Sequence, residues 1–191
     1  KGGFDVVVAN PPYISHDQIK EKSQLKTHYD CYEPFADIYC YFIELALRLQ
    51  NLRGILCFIT SNSYLRANYG EPIRETLHKK NNLLNVINIE DSQVFEAAIV
   101  NTCVLLSQNK SGSTQIECLV VNATWPEQMP FYQFVENNKL FYSQIDFNTK
   151  SWGLIPKEKL KLQKKIESAG RTLREYKTKI RLGLATGANE A

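Results

Sequence analysis

The chain has 191 residues, of which 43% are hydrophobic and 23% are charged, and its formal net charge is +3. These values are ordinary for a soluble globular protein, and they favour a chain with a buried core over a disordered one. No apolar run reaches the roughly 20 residues that a membrane-spanning helix needs, and no signal peptide precedes the first apolar segment. We therefore expect a cytoplasmic protein with no membrane partner.

The five cysteines and three histidines are scattered along the chain. No two cysteines form a Cys-x-x-Cys pair, and the histidines follow no ligand spacing, so the pattern predicts neither a zinc site nor a disulfide framework. We expect no bound metal and a reducing compartment.

The first predicted elements are a strand, a long loop and a helix. Phe4–Ala9 is a continuous valine-rich run, which is typical of a strand that is buried on both faces. The polar stretch 15–32 is predicted to be a loop with at most a helical turn, and 37–52 is predicted to be a helix that ends at Gly54. The residues expected on the buried face of this helix are Ile38, Phe42, Leu45, Ala46 and Leu49.

The following segments continue the alternation of strands and helices. A strand is predicted over 55–60 and a helix from Pro72 to Lys80, because proline is favoured at the first helical position. The remaining strands are predicted at 83–89, 100–107 and 115–121. The polar turn 108–114 is typical of a hairpin that joins the last two strands. This order predicts half of a doubly wound α/β sheet of parallel strands with an antiparallel hairpin edge.

The amino-acid composition and the charge change in the last third of the chain. After Asn122, prolines and aromatic residues predict an extended connector, followed by a basic helix over 156–169 with Gly170 as its end. Residues 157–181 contain ten basic and three acidic side chains. Such a segment is typical of a part that binds phosphates, and a solvated helix face is the alternative interpretation. The phosphate-binding candidates are Lys164, Lys165, Arg171 and Arg174.

Asn10-Pro11-Pro12-Tyr13 follows the first strand directly. In a doubly wound sheet this position lies outside the carboxyl end of a strand, where ligands bind. The two prolines remove two hydrogen-bond donors and stiffen the turn, which leaves backbone carbonyls and the side-chain oxygen of Asn10 as fixed acceptors. The alternative is a stiff strand exit with a packed tyrosine.

Two fixed acceptors suit an exocyclic NH2 group. The nitrogen of such a group is a poor nucleophile because its lone pair is delocalised. Hydrogen bonds from both N–H groups to fixed acceptors favour a more tetrahedral nitrogen and orient the lone pair towards an electrophile. Tyr13 adds a flat face on which a planar substrate can stack.

The segment FDVVVANPPYI resembles motif IV of the S-adenosylmethionine-dependent amino-methyltransferases. Four further segments resemble, in order, the region after motif IV, motif VI, motif VIII and the start of the target-recognition domain. They are Asp37–Glu44 (with Asp-Ile-Tyr and Phe-Ile-Glu), Gly54–Leu65, Val94–Thr102 and Gly183–Ala191. In this order and spacing, the chain resembles the gamma class of N6-adenine DNA methyltransferases, especially those fused to restriction endonucleases in type II systems.

The resemblance implies roles for individual residues. Asn10 and the carbonyl of Pro11 would hold the amino group of a flipped adenine, Pro12 would complete the rigid turn, and Tyr13 would stack on the base. Phe95 would be the second aromatic residue of the base sandwich, with a core position as the alternative.

The resemblance also implies that Asp37 and Tyr39 shape the pocket wall, with helix capping as the alternative for Asp37. Ser61 and Asn62 lie at another predicted strand end, where pocket lining and turn formation are both open.

S-adenosylmethionine and double-stranded DNA are the implied cofactor and partner. In the family, a glycine-rich loop and an acidic residue that bind the cofactor precede motif IV, and neither occurs in this chain. We therefore expect a fragment that neither binds the cofactor strongly nor methylates DNA alone. It would comprise the C-terminal half of a Rossmann-like methyltransferase sheet (1–122) and a helical connector that leads to a target-recognition domain (123–191).

The expected open edge of the first strand predicts self-association. Two other functions stay open. The same Asn-Pro-Pro-Tyr chemistry methylates a glutamine amide in protein or a guanine amino group in RNA, and a non-catalytic DNA-binding subunit could carry the motif passively.

Overall fold

The computed structural model describes residues 2–90, 101–110, 115–121, 128–147, 151–155, 157–171 and 175–176. The chain divides into two units, Lys1–Leu154 and Ile155–Ala191. The first unit contains all six described strands and four of the described α-helices, and the second contains the last helix. The functional boundary predicted at residue 122 stays a prediction.

One mixed sheet organises the first unit. Its strands are β1 (Phe4–Ala9), β2 (Gln50–Ser61), β3 (Asn82–Ile89), β4 (Thr102–Gln108), β5 (Gln115–Val121) and β6 (Leu140–Ser143). Their order across the sheet is β1-β2-β4-β3-β5-β6. β1, β2, β3 and β5 run in one direction, and β4 and β6 run in the other. The four parallel strands therefore end at the same edge, here named the carboxyl edge, and the α/β prediction is confirmed.

The predicted hairpin between β4 and β5 is wrong. β4 lies between β2 and β3 and pairs antiparallel with both, whereas β5 pairs parallel with β3. Two strands joined by a short polar segment are compatible with a direct hairpin and also with a sheet in which another strand lies between them. The sequence pattern therefore does not reveal that β3 lies between β4 and β5. The antiparallel edge is instead made by β6, which lies within the segment predicted to be an extended connector.

Five α-helices complete the described fold: α1 (Lys22–His28), α2 (Ile38–Leu49), α3 (Glu71–Lys80), α4 (Phe131–Asn138) and α5 (Lys157–Ala169). The predictions for α3 and α5 are confirmed to within one residue at each end. α1 and α4 occupy segments that were predicted to be a loop and a connector. None of the described helices is both long and apolar enough to cross a membrane.

Helix α2 buries a different face from the predicted one. Its buried residues are Tyr39, Cys40, Tyr41, Ile43, Glu44, Ala46 and Leu47. Of the predicted face, Phe42, Leu45 and Leu49 are 38%, 39% and 41% exposed. The sequence IYCYFIELALRL is apolar on nearly all sides, so its periodicity does not single out one face.

Helix α2 also ends earlier than predicted, at Leu49. Gln50 adopts an extended conformation and already pairs with Phe4 of β1. Gly54 therefore lies within β2 rather than at a helix end, and the chain between them turns through Arg53, whose φ is 68°.

The main core lies between one face of the sheet and helices α2 and α3. A smaller cluster of Leu119, Val121 and Phe134 packs under α4. β1 contributes only Val7 and Ala9 to the core. Its other side chains, Phe4, Val6 and Val8, are 60%, 59% and 69% exposed, so the expected burial of this strand on both faces is wrong. β1 is the outer strand of the described sheet, and self-association through it stays a prediction.

Candidate active site

The sheet brings three polar segments to its carboxyl edge. The turn 10–13 (Asn-Pro-Pro-Tyr) follows β1, Asn62 follows β2, and Glu90 follows β3. β1 and β2 are direct neighbours, and β3 runs parallel to both. The edge is therefore the one at which doubly wound sheets bind their ligands.

The Asn-Pro-Pro-Tyr turn exposes the side chain of Asn10 and part of Tyr13 at the surface. Asn10 and Pro12 are exposed, Pro11 is buried, and Tyr13 is 39% exposed. Among the described residues, none forms a hydrogen bond with the side-chain amide of Asn10. Burial and the nearby Cys103 thiol raise the pKa of Tyr13, so its phenol is neutral at pH 7. The turn can therefore offer a neutral ring and an amide oxygen to a substrate.

Asp37 joins the segment after this turn to the start of α2. Its Oδ1 accepts a hydrogen bond of 3.0 Å from the backbone N–H of His16. Next to it, the N–H of Ile38 donates to the carbonyl of Ile14 at 3.0 Å. Asp37 occupies the N-cap position of α2, but its side chain makes no capping hydrogen bond. The carboxylate thus acts on the loop rather than on the helix.

The second carboxylate oxygen of Asp37 connects to two tyrosines. Tyr69, in the short helical turn after β2, donates its hydroxyl to Asp37 Oδ2 at 3.4 Å. The hydroxyls of Tyr39 and Tyr69 are 3.0 Å apart. Because a carboxylate only accepts, the chain of donors runs from Tyr39 to Tyr69 to Asp37.

Tyr39 is a core residue in this fold. It is 1% exposed, and its ring stands edge-on to Tyr64 with 6.0 Å between ring centroids. Burial raises its pKa far above the ordinary value. Hydrogen bonds connect Tyr39 through Tyr69 to Asp37. Direct contact between Tyr39 and a base stays a prediction.

A second polar chain joins the ends of β2 and β3, and sequence reasoning missed most of it. The side-chain amide of Asn62 donates to Asn88 Oδ1 at 2.8 Å, and the amide of Asn88 donates to Glu90 Oε1 at 2.8 Å. Arg66 donates to the same carboxylate oxygen at 2.8 Å. Asn88 is 1% exposed. Its position as a polar residue in the apolar run LLNVINI is the signal that could have identified it.

The carboxylate at the end of this chain fixes the orientation of both amides. Glu90 can only accept, so Asn88 must turn its nitrogen towards Glu90 and its oxygen towards Asn62. Asn62 then turns its nitrogen towards Asn88. The loop after β2 is thereby held to the end of β3, and its Asn62 N–H also donates to the carbonyl of Asn101 before β4 at 3.0 Å.

The other predicted site residues are described in part. Phe95 and Arg174 lie outside the described residues, and of Lys164 only its place in α5 is described. Lys165 and Arg171 are exposed in the second unit. Their contact with phosphates stays a prediction.

The described residues offer acceptors for an amine but no cradle for the methionine part of a methyl donor. Within them, no glycine-rich turn follows the carboxyl end of a strand, since Gly54 lies in β2 and Gly70 precedes α3. No group of three or more His, Cys, Asp or Glu in the described part could hold a metal ion. All five cysteines are free.

The chain is similar to known restriction-modification methyltransferases. Residues 1–95 match the family described as Eco57I restriction-modification methylase. The type II methyltransferase M.PaeR7I of Pseudomonas aeruginosa is 25% identical over 206 residues, which cover 100% of this chain and 35% of the relative. The type II restriction enzyme and methyltransferase RM.Eco57I of Escherichia coli is 31% identical over 53% of this chain and 11% of its own length.

A solved structure shares the fold. The type IIG restriction endonuclease BpuSI superposes with a TM-score of 0.55 at 18% identity, over 78% of this chain and 20% of that chain. The chain spans about a third of the length of the first three curated relatives that it matches, from 35% to 36% of each.

Proposed function

Because the chain belongs to the Eco57I restriction-modification methylase family, we propose that it forms the amine-binding half of a DNA methyltransferase that acts on N6 of adenine. In this proposal it serves a restriction-modification system and takes the methyl group from S-adenosylmethionine. The observation that carries the proposal is the exposed Asn-Pro-Pro-Tyr turn, which stands at the carboxyl edge with an unengaged amide.

The turn supports transfer to an exocyclic amine. Asn10 supplies a side-chain oxygen and Pro11 supplies a carbonyl, and both prolines lack the N–H that would otherwise compete for these acceptors. Two N–H groups of adenine N6 would donate to these oxygens, which aims the nitrogen lone pair away from the ring plane. The N6–methyl bond would form as the bond between that methyl group and the sulfur of the donor breaks, and the nitrogen would then release one proton to water. No titrating side chain is needed for the transfer, because preorganised dipoles stabilise the charge that develops on nitrogen.

Tyr13 would hold the base in register. A flipped base costs a few kcal/mol to unstack from DNA, and stacking on an aromatic ring returns about 1–3 kcal/mol. Tyr13 is 39% exposed, so part of the residue is accessible for that contact. Phe95 would cover the other face of the base, as the family resemblance implies.

S-adenosylmethionine supplies an electrophilic methyl group when it is bound. The described residues contribute no cradle for it, so we propose that other parts of the methyltransferase bind the cofactor. Lys165 and Arg171 are exposed cations that would contact DNA phosphates without reading sequence.

The test uses the intact methyltransferase that contains this sequence. Methyl transfer from labelled S-adenosylmethionine to DNA is measured, followed by nucleoside analysis for N6-methyladenine. We expect Asn10→Ala to lower kcat by about 100-fold or more, in line with the loss of one preorganised hydrogen bond in a transition state. The matched control is Asn137→Ala, because Asn137 is exposed on α4, which packs on β5 and not on β1 or the turn that follows it.

The outcome separates the alternatives. N6-methyladenine in the wild type and its loss in Asn10→Ala, with DNA binding retained, supports the proposal. Methylation of a protein glutamine or an RNA guanine, without methylation of DNA, would transfer the same chemistry to another substrate. DNA binding with no methyl transfer to any amine would indicate a non-catalytic subunit.

A further inference from the structure

We propose that Asp37 is a positioning residue for methyl transfer: its carboxylate holds the segment Ile14–His16, and through it the Asn-Pro-Pro-Tyr turn, in the geometry that the target amine requires. The inference rests on the proposed function. It replaces contact with the base as the role of Asp37, because both carboxylate oxygens already have partners within the protein.

Asp37 is the point where three segments meet. Oδ1 accepts from the backbone N–H of His16, which lies 21 residues earlier in the chain. Oδ2 accepts from the hydroxyl of Tyr69, which lies 32 residues later. One carboxylate therefore ties the loop after β1 and the loop after β2 to the start of α2.

The turn 10–13 is fixed on both sides. Before it, Ala9 pairs with Phe58 in the β1–β2 ladder. After it, the carbonyl of Ile14 accepts from the N–H of Ile38, and the next anchor is the bond between His16 and Asp37. Two of the four residues between these anchors are prolines with fixed φ angles. Few backbone rotations remain free, so the position of the far anchor decides where Asn10 and Tyr13 point.

The hydrogen bonds that the Asp37 side chain makes at the start of α2 support this role. An aspartate at the N-cap position ordinarily accepts from the first backbone N–H groups of its helix, which is worth about 1 kcal/mol. Asp37 makes no such bond, although its backbone has the extended conformation of an N-cap, with φ −70° and ψ 159°. Its acceptors are used on the loop instead, which a purely helix-stabilising residue would not do.

The consequence for catalysis is geometric. Reacting atoms must sit about 3–3.5 Å apart with aligned orbitals, and a displacement of about 1 Å can cost a factor of about 100 in rate. Without Asp37 the segment Ile14–His16 would keep its backbone bond to Ile38, the local turn bond from the Gln18 N–H to the Ser15 carbonyl, and the ring contact of His16 with Phe35, but no side-chain acceptor would hold the His16 N–H. Because the acceptors of Asn10 and Pro11 would still exist, the substrate could bind, but its amine would be held less exactly.

The test compares three variants of the intact methyltransferase. Asp37→Ala removes both acceptors, and Asp37→Asn keeps a side-chain oxygen for the His16 N–H. Tyr69→Phe keeps the contact with His16 but removes the donor to Oδ2 and the acceptor of the Tyr39 hydroxyl. We expect kcat to fall about 30-fold for Asp37→Ala and only a few-fold for the other two, with KM for DNA changed less than about threefold. The controls are Asp30→Asn, whose exposed carboxylate makes only ion pairs of 3.8 and 4.0 Å, and Tyr132→Phe on α4.

Two further readouts separate positioning from folding or base binding. DNA with 2-aminopurine at the target position fluoresces more strongly when the base leaves the stack, and we expect Asp37→Ala to keep that rise. Hydrogen exchange at the His16 amide should be more than tenfold faster in Asp37→Ala than in the wild type, whereas Asp30→Asn should leave it unchanged.

Several results would overturn the inference. They are an unchanged kcat in Asp37→Ala, an equal loss in Asp30→Asn, a loss of the fluorescence rise in parallel with kcat, or unchanged exchange at His16. If the wild type methylates a different amine, kcat is measured on that substrate, so a wrong substrate does not hide the result for Asp37. If it transfers no methyl group at all, the proposed function fails, and the exchange rate at His16 alone decides whether Asp37 holds the loop.

Discussion

Replacing Glu44 tests how much a buried carboxylate on α2 contributes to the stability of the fold. Glu44 lies on α2 and is 0% exposed. Its carboxylate accepts hydrogen bonds from the backbone N–H groups of Asp30 at 3.1 Å and Cys31 at 2.7 Å, and it pairs with Arg48. It therefore anchors the turn after α1 to α2, and α2 begins beside Asp37.

The expected cost follows from these three contacts. Leaving a buried N–H without an acceptor costs about 1–3 kcal/mol, less at Asp30 because that residue is exposed and water can reach it. The pair with Arg48, which is 42% exposed, contributes about 0.5 kcal/mol. We expect Glu44→Gln to lower the free energy of unfolding by about 2 kcal/mol and Glu44→Ala by about 3 kcal/mol.

The assay is urea unfolding followed by circular dichroism. Glu75→Gln is the matched control, since Glu75 forms an exposed pair with Lys79 one helical turn away and should change the free energy of unfolding by less than about 0.5 kcal/mol. A cost for Glu44→Gln no larger than that of Glu75→Gln would refute the assigned role of Glu44.

The same residue predicts a dependence on pH. Desolvation raises the pKa of Glu44, but the hydrogen bonds from Cys31 and Asp30 and the charge of Arg48 outweigh it, so the net pKa is lowered. A carboxyl with a lowered pKa in the folded state stabilises fully above its unfolded value of about 4.3 and loses that contribution as the pH falls through the folded value. We expect the wild type to lose stability below about pH 5 more steeply than Glu44→Gln does.

Three further outcomes follow from other features. Asn88→Leu should cost about 2 kcal/mol by leaving Asn62 without its acceptor, measured by the same unfolding assay. Val8→Lys on the outer strand should shift any dimer of the chain towards monomer in sedimentation velocity, whereas a wild type that is monomeric at high concentration would count against self-association. At pH 8 only Cys57 should react quickly with a thiol reagent, because the other four cysteines are buried, and burial raises the pKa of Cys103, for example, to about 12.

The sequence was sufficient to predict those elements whose pattern lies within a few consecutive residues. β1 and β5 have the predicted bounds, and α3 starts one residue before the proline that predicted it. The turn 10–13 lies at a strand end, as expected, because a continuous valine run followed by two prolines leaves few other conformations.

Prediction from the sequence failed where the apolar residues of an element do not indicate which of its faces is buried or which strand it pairs with. The sequence of α2 is apolar except for Glu44 and Arg48, and Glu44 is itself buried. The packing of the sheet, not the periodicity, therefore selects Ile43 and Leu47 for the core and leaves Phe42 and Leu45 exposed. Likewise β4 is compatible with pairing to any neighbour. Its insertion between β2 and β3 depends on the whole sheet.

The polar side chains at the carboxyl edge also divide into those that a local sequence motif predicts and those whose contacts depend on the folded sheet. Asn10 and Tyr13 lie within one turn, so a contiguous motif is enough to predict them. Asp37 meets His16 and Tyr69, and Asn62 meets Asn88 at a separation of 26 residues. The contacts of Asp37 with Tyr69 and of Asn62 with Asn88 exist only after the strands are aligned, because each joins segments that belong to different strands of the sheet. The contact of Asp37 with His16 depends on how the segment between β1 and α2 folds back. The residues predicted to contact the substrate can therefore be found from the sequence alone, whereas the contacts of Asp37, which we propose to position them, depend on the folded structure.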